Sequence, residues 1–377
     1  MGQSVGHLAL KKTKRTLAAF VLCGFYLLAP VSVYAVDCST DDGWPSIGLV
    51  TQTDVDNFQD VYGPCDTITR DLGLSGTFAN FDGLSDIIHI TGDLGFGQMA
   101  VPGLSTFPNL LMIDGNLSFS STTGGSNSSL SAFPALTSLG GLSIDDSNHI
   151  TSLSGLTSLT TLGSIKLFNV RNLTDLTGLP AYSGVAPILS FGSMDMLQSL
   201  DGLSAVTGVQ QFLLEDNPML TSISALAGSV FSDTYDHPFD QGIPNLSISN
   251  NPKLSSLNGV PSVLPPGSFG TLIIGDAPLI TSLNVLDGVV EVWGDFGIFE
   301  NSALSDCSSL TKLLDEFDDS FPGPNDFSSD PFAFPPDVTN QFYPPTLQSN
   351  AAGCRSIAEI LGRSSEDGVF MDSFETK

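Results

Sequence analysis

Positive charge is what this sequence most lacks. It carries 12 lysines and arginines against 40 aspartates and glutamates, a net charge of −28. Such a balance repels nucleic acid and anionic membrane surfaces, so neither is an expected partner. Catalytic signatures are also missing. There is no nucleophile elbow, no His-Glu zinc helix, no phosphate-cradling glycine loop and no Cys-x-x-Cys pair. After residue 35 the basic side chains are Arg70, Lys166, Arg171, Lys253, Lys312, Arg355, Arg363 and Lys377. A polysaccharide lyase on a coiled β-fold needs a basic residue beside Ca²⁺-binding carboxylates, and this scarcity disfavours one. The expectation is a chain without enzymatic activity.

Long apolar runs are confined to one place. Lys11, Lys12, Lys14 and Arg15 precede "LAAFVLCGFYLLAPVSVYA", and no acid precedes Asp37. A basic start, a short apolar core and the small-residue site Val33-Tyr34-Ala35 read as a secretory signal peptide over 1–35. Pro30 and the shortness of the core disfavour a membrane anchor. Leu22 before Cys23 fits a lipoprotein processing site poorly. Cleavage after Ala35 leaves 8 basic and 40 acidic side chains. No later run is long enough to span a membrane, so a secreted or cell-envelope location is expected, extracellular or periplasmic. Four cysteines then remain, Cys38, Cys65, Cys307 and Cys354. An even number in an exported chain suggests two disulfides.

What is present is repetition. "LSFGSMDMLQSLDGL", "FLLEDNPMLTSISAL", "NLSISNNPKLSSLNGV" and "LIIGDAPLITSLNVL" are variants of one phrase. Its first inward apolar residue recurs as Leu72, Leu94, Leu117, Leu142, Ile165, Leu189, Phe212, Leu246, Leu272 and Phe296. The intervals run from 22 to 26 residues, with one of 34. Such a period is the mark of a solenoid. A second apolar residue stands two positions on, from Leu74 to Ile298, and that alternation is a short strand with one face inward. Further apolar residues follow 8, 11 and 14 positions after the anchor, as in Leu197, Leu200 and Leu203. A spacing of three suits neither a helix nor a long strand. The residues between are Ser, Thr, Gly and Asn, poor helix formers. The chain is therefore expected to coil, turning one inward residue at each corner, and to stack its strands into a parallel sheet. Asn148, Asn172, Asp195, Asn217, Asn251 and Asn301 follow the strands and read as turn residues bonded to local backbone.

The strings "ITGDLGF", "GNLSF", "NLSISNNPKLSSLNGV" and "WGDFGIFENSALSDC" resemble the receptor L-domain family, relatives of leucine-rich repeats. The likeness runs from about Val50 to Leu314. "TDVDNFQDVYGPCDTITRDLGLSG" is similar to that family's N-terminal cap, a short helix followed by a cysteine and the first strand. The resemblance implies a repeat solenoid, parallel β-helix or leucine-rich-repeat-like, of about ten coils with disulfide-stapled ends. It implies a binding surface for a protein or glycan, with the ligand unspecified. No Cys-rich module and no kinase domain are present, so receptor signalling does not carry over.

The expected organisation is a signal peptide over 1–35, an N-terminal cap over 36–71, the solenoid over 72–314, a C-terminal cap with a Pro/Phe-rich segment over 315–363, and an acidic tail over 364–377. Pairing Cys38 with Cys65 and Cys307 with Cys354 would staple both open ends of the core. The other pairings would join opposite ends of a long rod. Asp54, Asp56 and Asp60 have calcium-like spacing but lack the loop glycine and final glutamate, and read as a helix with an acidic first turn. His89, between Ile88 and Ile90, reads as outward on a strand. The long interval holds an insertion, 229–242, whose Asp233, Asp236 and Asp240 are candidate Ca²⁺ ligands; no other cofactor is expected. Most outward strand positions are small or polar. Lys166, Phe168, Leu213, Glu215, Ile273 and Phe299 stand out and are the candidate binding residues. A passive envelope-structure protein is the alternative to a binding protein, and a Ca²⁺-dependent lyase a more distant one.

Overall fold

Apolar residues every third position cannot be buried by a single coil, and the chain buries them by stacking. The computed structural model describes residues 35–38, 45–101, 107–124, 129–179, 184–232, 244–264, 267–292, 294–314 and 346–362, all in one unit, Ala35–Lys377. It is a parallel β-solenoid whose main sheet has 15 strands. Ten stacked rungs run from Asp71–Leu74 to Phe296–Phe299, with nine full turns between them. The expected ten coils counted the rungs. The stacking is in register: Ile165 lies against Leu142 and Leu189, and Leu167 against Ile144 and Phe191. All ten anchors and their partners two residues on are buried, as is every corner residue from Ile150 to Leu310 named by the 8, 11 and 14 spacing. The early coils use Phe where later ones use Leu, and Phe96 stacks on Phe119 with ring centroids 5.0 Å apart.

Three devices turn the coil, and each is repeated. At the corner, a Ser or Asp side chain accepts the backbone N–H two residues on. Ser152, Asp175, Ser199, Ser222, Ser256, Ser282 and Asp306 do so in seven successive coils. This local bond replaces a helix or ladder bond and explains the serine richness. Hydrogen bonds from the Thr177 hydroxyl and amide hold the Asp175 carboxyl below its ordinary range. The Ser308 and Ser282 hydroxyls and the Ser308 amide do the same for Asp306. At the end of each strand one residue adopts a left-handed conformation, among them Asp146, Asn169, Ser193, Asp216, Asn250, Asp276 and Glu300. The strain is offset because its N–H then donates to the next coil, as Asn169 N does to the Gly192 carbonyl at 2.9 Å. Where long strands bend, neighbouring backbones touch, so that a Cβ on Gly163 would lie 1.9 Å from the Gly140 carbonyl oxygen. Glycine is required there by close approach.

Asn217 and Asn251 make the expected local backbone bonds, to the Glu215 and Ser249 carbonyls, but the asparagines also reach further. Asn217, Asn251, Asn301 and Asn350 are buried and bond across coils. In each case Oδ1 accepts a backbone N–H of the preceding coil, from Met194, Asn217, Ala277 and Asn301 in turn. Nδ2 donates to the carbonyls of Phe191, Leu214, Ile274 and Ile298. The left-handed residue is the one before each asparagine. Asn148 and Asn172 stay exposed, with Asn172 Nδ2 bonded to the Asn148 carbonyl.

Both ends are closed by elements outside the ten repeats. At the N-terminal side the strand Ser46–Leu49 adds a rung against Asp71–Leu74. Two short helices follow, Gln52–Asp56 and Phe58–Tyr62, in place of the single helix expected. Thr51 and Asp54 form a capping box, and the Thr51 hydroxyl and the Val50 and Thr51 amides hold the Asp54 carboxyl low. At the other end Thr346–Gln348 pairs with the last rung, and the helix Ile357–Leu361 follows, capped by the Ser356 side chain. Disulfides join Cys38 to Cys65 and Cys307 to Cys354, with Cα atoms 5.0 and 5.7 Å apart. Non-reducing peptide mapping is expected to recover these two links and no link between the ends. A bond from Cys38 or Cys65 to Cys307 or Cys354 would be incompatible with the stacking.

Candidate functional site

The strands alternate inward and outward, so the outward face is set by the same register that builds the core. Two neighbouring rows of outward residues hold all six sequence candidates. Lys166, Leu213 and Ile273 fall in one row, separated by Ser190 and Ser247. Phe168, Glu215 and Phe299 fall in the next, separated by Gly192, Ser249 and Gly275. Lys166, Phe168 and Glu215 are exposed, whereas Leu213, Ile273 and Phe299 are half-buried. Glu215 Oε1 accepts from the Ser247 hydroxyl at 3.1 Å, which ties it into the sheet.

The two phenylalanines share a local cause. A Cβ placed on Gly192 would meet the Phe168 ring at 2.8 Å, and one on Gly275 would meet the Phe299 ring at 2.3 Å. Each ring thus fills the space above a glycine of an adjacent strand, a covering that aromatic residues provide for glycine in sheets. Phe168 nevertheless remains 54% exposed. Beside it is a shallow open depression of about 210 Å³, lined by Ser143, Asp145, Lys166, Phe168 and Ser190 among others.

Asp145 is the site residue the sequence reading missed. It pairs in register with Phe168 on the adjacent strand. Its Oδ1 is shielded from solvent and has no hydrogen-bond partner among the described residues. Burial raises the Asp145 carboxyl above its ordinary range, the neighbouring Asp146 charge adds to this, and the Asp146 amide opposes it. Asp145 stands three residues after its anchor Leu142, as Phe168, Glu215 and Phe299 do after theirs, so the register that marked them as outward also marks it.

The remaining polar candidates lie elsewhere. His89 is on a strand as expected, and its Nε2 lies 2.9 Å from Asp114 Oδ2 on a neighbouring coil. Burial lowers the pKa of His149, opposed by its contact with the Thr122 carbonyl. Asp233, Asp236 and Asp240, the expected Ca²⁺ ligands, lie outside the described residues, as does the Pro/Phe-rich segment. Among the described residues no group of three or more His, Cys, Asp or Glu is placed to hold a metal ion. No helix among them is long and apolar enough to cross a membrane.

The fold and its disulfides place the chain in the class of disulfide-closed parallel β-solenoids. No family model matches it, and neither a search of curated proteins nor one of solved structures finds a match.

Proposed function

We propose that this chain is an exported, non-enzymatic binding or adhesion protein of the receptor L-domain type, recognising a protein or glycan through the outward face of its main sheet. The observation that carries the reading is Phe168, a large apolar side chain left 54% exposed on a sheet face where most of its neighbours are small or polar. Exposed aromatics surrounded by small and polar groups are what binding surfaces present. Two disulfides suit a chain folded in an oxidising compartment, secreted or held in the cell envelope.

The test is a binding screen of the chain on a glycan array and against surface proteins, with Phe168→Ser as the comparison. Saturable binding weakened by Phe168→Ser, with the melting temperature unchanged, is the expected result. Absence of any saturable partner would favour a passive envelope-structure protein instead.

A further inference from the structure

Within that binding reading, we infer that the depression beside Phe168 takes a neutral polysaccharide, one sugar ring stacking on Phe168 while its hydroxyls bond Asp145, Lys166 and the flanking serines. Three observations lead there. First, the Phe168 ring lies over Gly192 on one side and is open to solvent elsewhere. An aromatic face is the negative end of the ring quadrupole and attracts polarised C–H groups, which a pyranose presents on its flat side. Second, the polar groups around the ring are of mixed character. Lys166 offers only donors, the Asp145 carboxylate only acceptors, and Ser143 and Ser190 both. The Asp145 side chain is half-buried and lines the depression, so its carboxylate can accept from an incoming hydroxyl donor. Third, the surroundings are acidic. The chain carries −28, and Glu215 lies two strands from Phe168 in the same row. An anionic glycan is therefore disfavoured.

The second covered glycine gives the ligand its length. Phe299 occupies the same row as Phe168, five strands further along the sheet. At about 4.8 Å per strand their Cα positions are about 24 Å apart, and the two rings are closer than that, since each leans over a glycine that lies between them. Between them stand Gly192, Glu215, Ser249 and Gly275, with three of the four small. A polymer lying across the strands reaches both rings, and a short oligosaccharide reaches only one.

The test is affinity electrophoresis of the purified chain through gels containing a neutral mixed-linkage β-glucan, a mannan, polygalacturonate or alginate. The variants are Phe168→Ala, Asp145→Asn and Phe299→Ala, each checked for an unchanged thermal melt. The expected result is retardation by at least one neutral polymer and by neither acidic one. Phe168→Ala should weaken it about two- to tenfold, in line with the ~0.5–1.5 kcal/mol of an aromatic contact. Asp145→Asn should weaken it severalfold, and Phe299→Ala should weaken polymer binding alone. Retardation unchanged by Phe168→Ala and Asp145→Asn would overturn the site and also the reading of this face as the binding surface. Failure of all four polymers, with a photo-crosslinker at position 168 capturing a surface protein saturably, would overturn the polysaccharide while leaving the binding face intact. Binding of only the acidic polymers would overturn the inference as well.

Discussion

Replacing Leu200 by alanine is expected to lower the stability of the solenoid by about 2–5 kcal/mol, read from urea unfolding. The side chain is fully buried at a corner of the coil, midway between Leu197 and Leu203, which are also fully buried. Removing three carbons there leaves a cavity that the stacked coils above and below cannot collapse into, and large-to-small changes in such cores cost that much. Its neighbour Ser199 supplies the control. Pure alternation of inward and outward residues would make Ser199→Ala silent. The structure gives Ser199 a role, since its hydroxyl accepts the Asp201 N–H at 3.3 Å. Loss of that exposed bond should cost about 0.5–1 kcal/mol. Equal losses at the two positions would mean that the register of the corner is wrong.

Asn251→Ala should be comparably damaging for a different reason, by about 3–4 kcal/mol. The side chain is fully buried and makes bonds in two directions. Its Nδ2 donates to the Leu214 and Ser249 carbonyls at 2.8 and 2.7 Å, and its Oδ1 accepts the Asn217 N–H at 3.3 Å. Alanine takes this partner from the Asn217 N–H and the Leu214 carbonyl in a dry interior, while the Ser249 carbonyl keeps the Asp216 N–H at 3.2 Å, and a buried group that loses its partner costs about 1–3 kcal/mol when it cannot reach water. Asn251→Asp is an informative companion. It keeps the acceptor for Asn217 but loses the donor, and sets a negative charge against two carbonyl oxygens. It should be no better than alanine near neutral pH. Asn148→Ala, in the exposed turn of an earlier coil, should lose less than about 1 kcal/mol, although Asn148 accepts the Arg171 N–H at 2.8 Å. Thermal melts of the three variants side by side decide the matter, and similar losses at Asn148 and Asn251 would rule out a buried ladder.

The spacing of apolar residues was enough to locate almost every inward position. From Leu72 to Ile298 the anchors and their partners are buried, because a strand repeats every two residues and a coil returns at a constant length. The disulfide pairing followed from the same geometry, since an open-ended core needs closing at both ends. The six outward candidates were legible as the complement of the inward set. The closing rungs Ser46–Leu49 and Thr346–Gln348 were not: Ile47 stands 25 residues before Leu72 and fits the period, but two helices take the place of the corner triplet after it, and Leu347 lies 49 residues past its partner Ile298.

What the tertiary structure alone decided is which of several similar polar residues does what. Asn148 and Asn251 carry the same side chain after the same kind of strand. One falls a residue later in its coil and meets water; the other falls inward and bonds the coil before it. Asp145 and Asp146 are adjacent and chemically identical, yet Asp145 ends the strand and lines the depression beside Phe168, whereas the left-handed Asp146 accepts from Asn169 Nδ2 of the next coil. Gly192 and Gly275 read only as small residues until an adjacent strand lays a ring over each. Hydrophobic burial depends on an average over many positions and therefore shows in the pattern. A hydrogen bond or a ring contact depends on the placement of one atom against another coil, about 4.8 Å away across the sheet and some 23 residues away along the chain.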